Sequence, residues 1–185
     1  MTIVSDGRPR FIFGSVWSGR FILAAIVQGA IITVLTLTFV AAQTLTSQIN
    51  IIEFLSVSFE GPAKWIFLGY IFYMILVVAI AVTAVFYNHL EVSMGRQIED
   101  FRSAPAWIHV VGMNVGGAVT TITIIFAALA GSGILGVILE GTGSLQPNAV
   151  IMDQFVPLIA AFTGLLSIGV LAGGLAYITT YLQRK

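Results

Sequence analysis

The sequence predicts an all-α integral membrane protein, a bundle of four transmembrane helices. Three observations carry that reading. Of 185 residues, 58% are hydrophobic and only 9% charged, whereas a soluble domain carries about 25% charged residues. Mean hydropathy is +1.01, so lipid rather than water must be the main solvent of the folded surface. Four apolar stretches, at about 21–43, 65–88, 106–130 and 155–182, hold no Asp, Glu, Lys or Arg. Each is long enough to cross roughly 30 Å of hydrocarbon as a helix. The whole chain, 1–185, reads as a single four-helix membrane domain.

The first span begins near Phe21, with Trp17 and Arg20 ahead of it. An indole and a snorkelling cation suit the bilayer interface. The N-terminal stretch does not read as a signal peptide, because its basic residues precede a span longer than a signal h-region. Between the first two spans, INIIEFLSVSF is apolar but short and carries Glu53. It is expected to lie at the outer interface. Pro62 suits the start of the second span. That span is followed by the charged turn His89–Pro105, whose first part could extend the helix by one or two turns before Pro105 ends it. The third span stops at Gly131-Ser132-Gly133. A Gly-rich loop, LEGTGSLQPN, leads to the fourth span near Pro157.

Orientation follows from the basic residues. With the N-terminus inside, inner segments hold Arg8, Arg10, Arg20, Arg96, Arg102, Arg184 and Lys185, and outer segments only Lys64. That split is the positive-inside pattern of a cell-membrane protein with both termini cytoplasmic.

An internal repeat is visible at an offset of 87 residues. Gly29, Thr33, Thr36, Phe39 and Ala41 align with Gly116, Thr120, Thr123, Phe126 and Ala128. The shared pattern suggests two helical hairpins of the same orientation. Small residues let helices approach in lipid, where little hydrophobic force acts between them. Gly29, Gly112, Gly116, Gly117, Gly169 and Gly173 are therefore the candidate packing positions. The threonine hydroxyls are expected to bond back to their own helices.

Candidate chemistry is sparse. Net charge is zero, which gives no case for nucleic-acid binding. Cysteine is absent, excluding disulfides, thiolate metal sites, iron–sulfur clusters and covalent c-type haem. The two histidines, His89 and His109, sit at neighbouring helix ends and could supply the paired imidazoles of a b-type haem. His89, Glu91, Asp100 and His109 are metal-ligand types without metal-ligand spacing. The favoured expectation is no cofactor and no metal, with the imidazoles satisfied by water or Glu91. Gln28 and Asn114 are the deepest polar groups, Asn114 being read as an interhelical hydrogen-bond donor. No Asp, Glu, Lys or Arg lies within a span, which disfavours a transporter or channel. Arg96, Glu99, Asp100 and Arg102 read as a solvated face with local ion pairs.

The central stretch resembles haem–copper oxidase subunit I, in particular its short four-helix relatives. The residues that carry the likeness are Leu68, Gly69, Tyr70, Met74, Tyr87, Leu90, Gly95, Arg96, Ala106, Trp107, His109, Asn114 and Gly116. The place where that family carries a haem-ligating histidine before Leu68-Gly69 reads Gly61-Pro62-Ala63-Lys64-Trp65. The resemblance thus implies the scaffold and not the catalysis. The expected function is a non-catalytic membrane subunit of a respiratory or oxygenase complex, either a terminal oxidase or a copper monooxygenase of the ammonia or methane type. Its partners would be other membrane subunits and lipid. The alternatives are a b-haem electron carrier using His89 and His109, and a small transporter or channel.

Overall fold

A computed structural model describes residues 15–45, 63–134 and 148–183. All regular structure among them is helical. Helix α1 spans Val16–Leu45 and α2 spans Ala63–Asn88, running on through a π-helical turn at His89–Ser93. A 3-10 turn at Asp100–Arg102 leads to α3, Ser103–Val111. A second π-helical turn, Gly112–Gly117, joins it without a break to α4, Ala118–Gly131. A short α5, Ala149–Asp153, precedes α6, Val156–Tyr181. Four helices are long and apolar enough to span a membrane: Val16–Ala42, Lys64–Ser93, Ser103–Gly131 and Val156–Tyr181.

The helix boundaries have local causes. α1 starts ahead of the predicted position because Ser15 caps it, its Oγ accepting from the Ser18 N–H at 3.0 Å. α3 starts at Ser103, not after Pro105. Proline in a first turn lacks only an N–H that has no intrahelical partner there. The end of the α2 helix is closed at Gly95, the residue whose φ of 61° lies in the left-handed region. The Arg96 N–H returns to Leu90 O at 3.0 Å, one residue wider than a Schellman closure because the last turn is π-helical. α5 falls between the predicted Gly-rich loop and the fourth span, where no element was predicted. Asn148 caps it, accepting from the Val150 N–H at 3.1 Å, and its own N–H bonds Gly131 O at 2.7 Å. The interfacial segment around Glu53, most of the Gly-rich loop with Glu140, Glu60, Arg8, Arg10, Arg184 and Lys185 lie outside the described residues.

The third span is the centre of the bundle. In its most apolar window 56% of residues are buried, against 17%, 28% and 17% in the first, second and fourth spans. α1 packs on α2, α2 on α4, and α6 on α3, the Gly112–Gly117 turn and α4. On α2, Ile66, Gly69, Tyr73, Leu76, Ile80, Ala84, Tyr87 and Leu90 are all buried. Their three- and four-residue spacing draws one stripe along a helix.

α6 lies antiparallel on the third span in a register set by small residues. A Cβ at Gly173 would meet the His109 ring at 2.2 Å, and one at Gly112 would meet Gly169 Cα at 2.5 Å. A Cβ at Gly116 would meet Leu166 N at 2.6 Å, and Thr120 Oγ1 lies 3.5 Å from Thr163 Oγ1. Gly117 turns the other way, toward the Leu76 side chain of α2. Gly29 differs from the predicted packing set, since nothing lies within 4 Å of a Cβ built there. The α1–α2 contact uses another face of α1. Thr33 bonds back to Gly29 O at 2.8 Å, whereas Thr36 bonds Ile32 O at 2.8 Å and also reaches Tyr70 OH of α2 at 3.0 Å, as Thr120 reaches across to α6.

Candidate functional site

The chemistry-bearing side chains gather at one end of the bundle, where α1 and α3 begin and α2 and α6 finish. Glu91, in the π turn after α2, is turned onto the start of α1. Its Oε2 accepts from Ser15 Oγ and, at 3.1 Å, from the Trp17 N–H. A carboxylate there satisfies free N–H groups and complements the positive end of the helix dipole. The Trp17 indole donates to Ile98 O at 3.3 Å, tying α1 to the connecting segment. Arg20 lies between two indoles, 4.3 Å from the Trp17 ring and 4.4 Å from the Trp107 ring, a cation–π contact on both faces.

The cations expected on a solvated face are docked instead. Arg96 Nη1 donates to Thr180 O at 3.1 Å and to Gln183 O. With the Gln183 side-chain oxygen turned toward it, Arg102 donates to that oxygen at 3.0 and 3.2 Å. Arg96 thus caps backbone carbonyls at the end of α6, and Arg102 holds the Gln183 side chain beside it, where a helix end favours positive charge. Sequence spacing suggested pairing with Glu99 or Asp100. The fold supplies a helix terminus as the stronger partner.

The histidines part company. His89 is exposed in the π turn after α2. His109 is buried, its Nδ1 3.1 Å from Tyr87 OH, with either atom able to be the donor. Its ring lies over Gly173 and 5.1 Å from the Phe21 ring, and Phe21 stacks on Tyr87 at 5.0 Å. The two imidazoles thus stand in different surroundings, one exposed and one enclosed. Glu91 is occupied by α1 and is not the partner of His109. Among the described residues no group of three or more His, Asp or Glu is placed to hold a metal ion.

His109 stands at the floor of a cleft of about 500 Å³ between α2 and α6. Thr83, Phe86 and Tyr87 form one wall, and Val170, Gly174, Tyr177 and Ile178 the other. Tyr177 and Phe86 meet edge to face, with ring centroids 6.1 Å apart. A second groove, of about 380 Å³, runs along α1 and α2 and is lined by Gly29, Thr33, Thr36, Tyr70, Met74 and Val77.

Deeper in the bundle, Gln28 and Asn114 bond each other directly, and a residue that carries no signal in the sequence joins them at Gln28. Tyr73, fully buried, donates its hydroxyl to Gln28 Oε1. Gln28 Nε2 donates to Asn114 Oδ1 at 3.2 Å and to Asn114 O at 3.3 Å. Asn114 is therefore the acceptor between helices. Its Nδ2 donates within its own helix, to Val110 O at 2.8 Å. A π turn disturbs the regular i to i+4 pattern, and Asn114 O within it takes a side-chain bond. The α1 cap did have one sequence signal, a serine three residues ahead of another before an apolar run. Tyr73 and Tyr87 had none, because an aromatic hydroxyl within an apolar span is equally at home at a packing face.

Comparison with protein-family models, characterised proteins and solved structures finds no match to this chain. The likeness to haem–copper oxidase subunit I rests on the residues between Leu68 and Gly116 named for it, and on nothing else.

Proposed function

We propose that this chain is a non-catalytic integral membrane subunit that joins other membrane chains by helix packing. One observation supports this above the rest. In the second half of the repeat, the stripe Gly116–Thr120 is covered by α6. In the first half, the aligned stripe Gly29–Thr33–Thr36 lines an open groove with Tyr70 and Met74. A stripe of this composition suits a close helix neighbour in lipid; Thr36 reaches the Tyr70 hydroxyl of α2 at 3.0 Å, but beside Gly29 the bundle provides none. A partner helix seated on α1 and α2 would do for Gly29 what α6 does for Gly116. Gly29→Leu tests the reading, since nothing within 4 Å resists the new side chain. The variant should keep its own thermal stability in detergent. On native gels of solubilised membranes it should lose the larger assembly that the wild type forms. Unchanged migration would show that this face meets only lipid.

We further place both termini in the cytoplasm, with the Trp17 end of the bundle inward. Arg20, Arg96 and Arg102 gather at that end, while Lys64 begins α2 at the other. The chain lacks cysteine, so single replacements can be labelled cleanly. Ser5→Cys and Gln183→Cys should be shielded from an impermeant thiol reagent on intact cells, and Gly143→Cys should react. The reverse pattern would invert the topology.

A further inference from the structure

We propose that the cleft between α2 and α6 binds a lipid-soluble quinone, with a ring oxygen held by His109 Nε2. This site is separate from the packing groove on α1 and does not depend on it. Tyr87 takes Nδ1 of His109, and Nε2 has no protein partner among the described residues. In hydrocarbon an unsatisfied polar group is strongly disfavoured. An acyl chain filling the cleft would leave it unsatisfied, whereas a ring carbonyl would supply the missing partner.

The shape of the cleft agrees with a planar occupant. Its volume of about 500 Å³ falls within the roughly 300–1,000 Å³ typical of small-molecule sites. Phe86 and Tyr177 give it aromatic walls, and apolar Val170 and Ile178 complete the rim. The α6 wall leaves room, because Gly174 is exposed and nothing lies within 4 Å of a Cβ built there. Phe86, Val170 and Ile178 are each about half exposed, so the cleft opens onto the lipid-facing surface from which such a ligand would enter. His109 lies six residues into the third span, about 9 Å along the helix axis. A ring there would lie close to the interface with its tail in the hydrocarbon.

The histidine–tyrosine pair also suits both redox forms of one ligand. With Tyr87 donating to Nδ1, Nε2–H donates to a quinone carbonyl. With Nδ1–H donating to Tyr87, Nε2 accepts from a quinol hydroxyl. No covalent step or electron transfer by this chain is implied.

Photolabelling tests the proposal. The purified chain in phosphatidylcholine nanodiscs is irradiated with an azido-benzoquinone bearing a decyl tail, and the labelled peptides are mapped. Labelling should concentrate at Thr83–Tyr87 and Val170–Ile178 and be displaced by excess decyl-benzoquinone, but not by an equal excess of decylcyclohexane, which has the ring and tail and no polar atom. Gly174→Leu, which fills the cleft, should reduce labelling at least tenfold. Gly164→Leu, equally unobstructed, should leave it unchanged. His109→Phe, which keeps a ring over Gly173 and removes the nitrogens, should weaken it about tenfold. Label spread along the lipid-facing sides of all four spans would overturn the proposal. So would equal displacement by decylcyclohexane, which marks an apolar groove only. The competition on the unaltered chain decides the matter even if a variant fails to fold.

Discussion

Gly112→Ala should destabilise the bundle by about 3 kcal/mol, the largest effect expected of any single methyl group in this protein. The new Cβ would stand 2.5 Å from Gly169 Cα, 2.9 Å from Leu165 O and 3.0 Å from Gly169 N. All three are backbone atoms, so no rotamer change can relieve the clash. α6 would have to move away from the third span along the whole register from His109–Gly173 to Thr120–Thr163. The dispersion attraction forfeited along that line has no hydrophobic compensation in lipid. Gly117→Ala is the matched comparison. There the obstacle is the end of the Leu76 side chain, at 2.6 and 2.8 Å, which can rotate, and the cost should be about 1 kcal/mol. Unfolding by dodecyl sulfate titration, followed by circular dichroism, measures both. Equal costs would show that the α6 contact yields as readily as a side chain, contrary to the backbone contact described.

Glu91→Ala should release the start of α1 at a cost of about 1–2 kcal/mol. The change removes the acceptor for Ser15 Oγ and the Trp17 N–H together. Trp17 holds Ile98 O and one face of Arg20, so loss of the cap should propagate to those contacts. Amide exchange at Trp17–Arg20 should accelerate at least tenfold, while α6 amides keep their protection. Glu91→Gln retains a neutral acceptor and should recover more than half of the stability. If alanine and glutamine behave alike, charge on the helix terminus dominates the contact. If neither changes exchange at Trp17, Glu91 does not cap α1.

The four spans were legible because charge is excluded from hydrocarbon and helix length must match bilayer thickness. The register of the α6 contact was half legible. Gly112, Gly116, Gly169 and Gly173 stood out as small residues at four-residue spacing, but which glycine faced which depended on the pairing of two helices. Gly29 shows where that logic stops. The same residue in the same repeat position as Gly116 is open, because α2 took another face of α1. The buried stripe on α2, from Ile66 to Leu90, was not legible at all. Lipid-facing residues are as apolar as packing residues, so hydrophobic periodicity carries no contrast.

The polar contacts divide along the same line. Gln28 and Asn114 were conspicuous by being polar in an apolar span, yet their direct bond, with Tyr73 donating to Gln28, required three helices to converge. Arg96 and Arg102 read as solvated, since a charge beside other charges in sequence suggests local pairing. They were claimed by the end of a helix some 80 residues away. His89 and His109 looked equivalent in sequence, but the fold exposes one and buries the other between Tyr87 and Gly173. The sequence by itself determined the solvent, the number of helices and their approximate ends, because these depend on one segment at a time. The tertiary structure alone decided which faces meet, which cations cap and which imidazole is enclosed. Those depend on free energies shared between segments, and no single segment records them.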